Sequence, residues 1–277
     1  MCIRDSCYSD DCLQNYLGDV MTIISIEELD KIDPNDREHI VVLSQEDIDQ
    51  AMQSYESGKF LLDQRVCYLV KPSANEVKNS RVMNNQMANL KAGSLLLLSE
   101  NGTGYEPYEL MMRNSINRQL HSFIELCQFM GVKSVKLKSV STNNKSASTR
   151  SNASVGVGFE AKAGYSGDIV SKIVSEFESH THFLGNNNPN IVAAENLINT
   201  GVFKDNDTVL NFYKLAKERD NRTKSHTVKM KLAAEVAKKM KVFANLQIPV
   251  LQRKFGADWE KIQNASTEHE LAYEIYF

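Results

Sequence analysis

The 277-residue chain has little of what marks a membrane helix, a metal finger or a common hydrolase. No apolar stretch approaches the roughly 20 residues a helix needs to cross a bilayer; the LLLL run at 95–98 is closed by serine on both sides. Cysteines are Cys2, Cys7, Cys12, Cys67 and Cys127, none of them in a C-x-x-C pair, which argues against a structural zinc site. Cys67 in RVCYLVK and Cys127 in FIELCQFM sit among apolar residues and read as small buried hydrophobes, so a reducing, cytoplasmic compartment is the expectation. The G-x-S-x-G nucleophile elbow is missing. SENGTGYEP lacks the glycine and lysine spacing of a phosphate loop, and SVGVGFEAKAGYSG lacks the last glycine of a dinucleotide fingerprint. No internal repeat or heptad pattern runs through the chain, and no cofactor is expected.

The first six residues, MCIRDS, resemble the translated end of a sequencing adaptor and are set aside with the polar stretch up to residue 20. The natural chain is then expected to begin at Met21 or to continue upstream. An acidic SDD and a polar LQN stand where a signal peptide would carry its basic and apolar regions.

What is present is ordinary in composition, with 42% hydrophobic and 24% charged residues, enough for a core in one large domain or two small ones. The net charge of −3 conceals an uneven distribution. Acids dominate from 27 to 56, whereas 214–241 holds ten Lys or Arg against Glu218, Asp220 and Glu235. That asymmetry points either to an anionic partner for the basic half or to a solvated face.

Periodicity supplies the elements. HIVVL at 39–43 is a short apolar run, followed by a helix that Ser44 caps with Asp47 at the capping-box position, with Ile48, Met52 and Tyr55 on one face and Gly58 as its stop. RVCYLVKP and SLLLLSENGTG read as strands closed by turn residues. Met112, Ile116, Leu120, Phe123, Cys127 and Met130 form the stripe of an amphipathic helix ending at Gly131. Val135 and Leu137 alternate with Lys136 and Lys138 as in a half-buried strand. Ile169, Ile173 and Phe177 suggest a helix, GNNNPN at 185–190 a loop, and Val209, Phe212, Tyr213 and Ala216 another helix. Val228, Leu232, Val236, Met240 and Phe243, four and three apart, predict one longer helix, and a last one over 258–264 holds the single tryptophan, Trp259. The expected fold is α+β, a mixed or antiparallel sheet with packed helices over 21–185, followed by a mostly helical C-terminal region over 186–277.

Three groups of residues could carry function. The first is STNNKSASTRSNASVGVGFEAKAGYSG at 141–167, a polar arm followed by alternation. On a strand Val155, Val157, Phe159, Ala161, Ala163 and Tyr165 share one face, and Gly156, Gly158, Glu160, Lys162 and Gly164 the other. A hairpin inserting into a membrane as part of a β-barrel pore has such faces, as does any antiparallel strand covering a core. The second group is Lys229, Lys231, Lys238, Lys239 and Lys241, placed off the apolar stripe of the predicted long helix. Such a basic face suits lipid headgroups or nucleic-acid phosphates. Lysine outnumbers arginine there and no aromatic is interleaved, which argues against base-specific reading or base stacking. The third is EFESHTHF, where a strand would align Glu176, Glu178, His180 and His182 for a divalent metal, but helical spacing leaves only His180 and His182 as a pair. The expectation is therefore a non-enzymatic binding protein that associates with or inserts into membranes through the alternating hairpin and the basic helical face, with an anionic surface, lipid membrane or nucleic acid, as its partner and oligomerisation compatible. The alternatives are a metal-assisted enzyme using His180 and His182, and a nonspecific nucleic-acid-binding protein.

Overall fold

A computed structural model describes residues 23–53, 61, 63–83, 90–143, 153–154, 188–218, 224–245, 262, 266 and 268–277. The fold is α+β, with helices alongside a five-stranded and a four-stranded sheet. The chain divides into two compact units, Met1–Met111 with Val242–Trp259, and Met112–Lys241 with Glu260–Phe277.

In the first unit the elements are β1 (Ile23–Ile24), α1 (Ile26–Leu29), β2 (His39–Leu43), α2 (Gln45–Ala51), β3 (Cys67–Val70), α3 (Ala74–Asn79), β4 (Leu95–Leu98) and β5 (Tyr105–Pro107). Their order in the sheet is β1-β3-β2-β4-β5. β1 and β2 run parallel to β3, while β4 is antiparallel to both β2 and β5. Every residue of β2 and of β4 is buried, as expected of strands covered on both faces and read from unbroken apolar runs. Ile40, Val42, Cys67, Leu69, Leu96, Leu98 and Tyr105 pack on one side with Ile26, Leu29 and Val77 from the short helices.

Each of those short helices starts with a capping box, Ser25 with Glu28, Ser44 with Asp47, and Ser73 with Glu76. The Ser44 N–H donates to Asp47 Oδ2 at 2.9 Å, and the Asp47 N–H donates to Ser44 Oγ at 3.2 Å, so two orphan donors are satisfied at once. α2 ends at Ala51 with Met52 as its C-cap; Tyr55 and Gly58 lie outside the described residues. Gly104 is required by a close approach, because a Cβ there would stand 2.6 Å from the Val82 carbonyl oxygen. That carbonyl accepts the Tyr105 N–H at 2.9 Å. Asp30 ties the same segment down, its Oδ1 accepting from the Ser80 hydroxyl at 2.7 Å and the Arg81 and Val82 N–H groups at 3.1 and 3.2 Å.

The remaining elements are α4 (Tyr108–Phe129), β6 (Ser134–Asn143), β7 (Ala153–Ser154), α5 (Ile191–Asn199), α6 (Asp207–Lys217), β8 (Ser225–Leu232), α7 (Ala234–Ala244) and β9 (Glu268–Tyr276). The stripe Met112, Ile116, Leu120, Phe123, Cys127 and Met130 is buried as its spacing requires. Gly131, at φ 75°, ends the helix: its N–H bonds the Gln128 carbonyl and the Val132 N–H the Cys127 carbonyl, the Schellman arrangement. The second sheet has the order β7-β6-β9-β8, with every pair antiparallel. Val135 and Leu137 are buried and Lys136 is exposed, so β6 has the half-buried character its alternation implies.

One predicted element differs from its periodic reading. The predicted long helix over 228–243 is a strand, β8, and a shorter helix, α7, joined at Ala233, which takes a left-handed φ of 46°. Val228 and Leu232 are four apart, which fits a helix, but the buried Met230 between them marks a period of two. The decisive partner is β9, which pairs with β8 along its whole length and arises from the last residues of the chain, where periodicity had suggested nothing. The C-terminal region thus holds α5, α6 and α7 together with these two strands. The predicted helix with Ile169, Ile173 and Phe177 and the one over 258–264 fall outside the described residues, apart from the buried Ile262.

The outer edge of β8 is closed by side chains. The Phe277 N–H donates to the Lys224 carbonyl, so by alternation Lys229 and Lys231 turn their main-chain groups away from β9. Asn206, 2% exposed, meets them there: its Oδ1 accepts the Lys231 N–H at 2.6 Å and its Nδ2 donates to the Lys231 carbonyl at 3.1 Å. The Thr208 hydroxyl donates to the Lys229 carbonyl. Asn206 is also the N-cap of α6 but makes no side-chain cap bond, because its amide is committed to the strand. An edge that would otherwise present unpaired main-chain groups is blunted.

Candidate anion-contact surface

Alternation along β8 points Lys229 and Lys231 to solvent while Val228, Met230 and Leu232 are buried. Across the face, Lys231 stands opposite Glu270 of β9 and Lys229 opposite Ala272. Lys229 Nζ nevertheless reaches Glu270 Oε1 at 3.4 Å, a diagonal ion pair across the two strands. Lys136 of β6 and Glu274 of β9 are directly paired on the neighbouring strands, which extends a face of mixed sign.

The turn at Ala233 then starts α7. The buried Gln119 holds it, its Oε1 accepting the Ala233 N–H at 2.8 Å. On α7, Lys238 and Lys241 are exposed and three residues apart, hence neighbours on one side, whereas Lys239 is half-buried. Glu235, one turn before Lys238, is ion-paired with Lys204. Surface pairs of this kind add about 0–1 kcal/mol, so their main effect is to divide the local field. The five lysines predicted to share one helical face are therefore corrected to two groups: Lys229 and Lys231 on a strand beside an acid, and Lys238, Lys239 and Lys241 on a helix.

The alternating segment meets the described structure only at its polar start. Ser141–Asn143, read from the sequence as the start of a polar arm, belong to β6 and pair with Glu270, His269 and Glu268. Ala153 and Ser154 return antiparallel opposite Val140 and Ser139. Val155, Val157, Phe159 and Tyr165, like His180 and His182, lie outside the described residues. Among the described residues no group of three or more His, Cys, Asp or Glu could hold a metal ion, and no helix is long and apolar enough to cross a membrane.

Buried reactive groups are held in inert forms. Burial pushes the Cys67 thiol up to about 12 and raises that of Cys127 as well, which keeps both from serving as thiolate nucleophiles. His269, 3% exposed on β9, went unnoticed in the sequence because EHELAYEIY resembles a tail until its alternation is paired. Burial brings its pKa down to about 4, so it is neutral at physiological pH. His121 is exposed on α4, off the buried stripe. No family model matches the chain, and no match was found among curated proteins or solved structures.

Proposed function

We propose that this protein works by binding an anionic lipid surface, with the lysines of β8 and α7 as its electrostatic contacts and the hairpin arm as an accessory contact. The supporting observation is the outward projection of Lys229, Lys231, Lys238 and Lys241, all exposed, from a strand–turn–helix whose apolar residues Val228, Met230, Leu232, Val236 and Met240 are buried. Lys238 and Lys241, exposed and three residues apart on α7, are the pair to test. The antiparallel pairing of Ala153 and Ser154 with Val140 and Ser139 of β6 supports the hairpin part of this reading. Val155, Val157, Phe159 and Tyr165 enter this reading through their sequence alternation alone.

Co-sedimentation with vesicles of phosphatidylcholine, with and without phosphatidylserine, tests it. Each lysine near an anionic surface contributes about 1 kcal/mol. Neutralising two in a Lys238→Gln, Lys241→Gln variant should therefore weaken binding to the anionic vesicles about thirtyfold. Absence of binding to phosphatidylserine vesicles, or equal binding by the variant, overturns the proposal. Binding to duplex DNA that falls steeply with salt, with none to vesicles, would instead assign the lysines to nucleic acid.

A further inference from the structure

We draw no further inference here: the strongest candidate, the apolar surface of α5 and α6 on which Val192 and Leu215 are 71% and 51% exposed, carries nothing because no feature of the structure shows what covers it.

Discussion

Replacing Asn206 with leucine, which has the same heavy-atom skeleton but no polar atoms, tests whether the β8 edge is closed by a side chain. Two hydrogen bonds to the Lys231 main chain are lost, at 2.6 and 3.1 Å. Each is worth about 0.5–1.5 kcal/mol net. The main-chain groups they satisfied lie beside a residue that is 2% exposed, so water reaches them poorly and part of their desolvation cost is added. The expected loss is about 2–3 kcal/mol, read as a lower urea midpoint at unchanged m-value. Amide exchange at Lys231 should accelerate in step, while amides of β2 and β3 keep their protection. Thr208→Ala, which removes one bond to Lys229, should cost about 1 kcal/mol and provides an internal scale. An Asn206→Leu midpoint within error of the wild type, or unchanged Lys231 exchange, would refute the argument that this amide stands in for a neighbouring strand.

Three other outcomes follow from the same structure. His269 is neutral when folded, with a pKa of about 4 against 6.5 unfolded; its contribution is complete above pH 6.5 and is lost as the pH falls toward 4, by about 3 kcal/mol in all. His269→Leu should flatten that part of the pH–stability curve, and parallel curves for the two proteins would contradict it. Gly104→Ala should destabilise by about 1–3 kcal/mol in chemical denaturation, since the Val82 carbonyl 2.6 Å from the new Cβ is main chain and cannot swing aside; a neutral result would contradict the close approach. The Tyr105 hydroxyl is buried and has no hydrogen-bond partner among the described residues, so Tyr105→Phe should leave thermal stability unchanged or raise it by up to about 1 kcal/mol, and a drop of that size would reveal a partner.

Of the candidate surface, the exposure of the lysines was legible and their arrangement was not. A lysine placed between apolar residues projects outward whether the period is two or close to four, so Lys229 and Lys238 come out exposed on either reading. Which lysines become neighbours depends on the period, and so does the acid they meet. Glu270 lies 39 positions after Lys231 in sequence, and only strand pairing brings it alongside.

Sequence alone determined the elements whose causes are local. Ser44 and Asp47 cap one another within a single turn. The α4 stripe repeats over five turns before Gly131, and Cys67–Val70 and Leu95–Leu98 are continuous apolar runs with turn residues behind them. Tertiary structure decided the rest, because a strand gains its main-chain hydrogen bonds from another segment. Val228–Leu232 satisfies a helical spacing of four as well as a strand spacing of two, and the choice fell to β9 on one edge and Asn206 on the other. Ser141–Asn143 likewise have the composition of a loop and become part of a strand through Glu268–Glu270. Local periodicity is ambiguous over five residues, and the free energy that resolves it comes from partners far away in the chain.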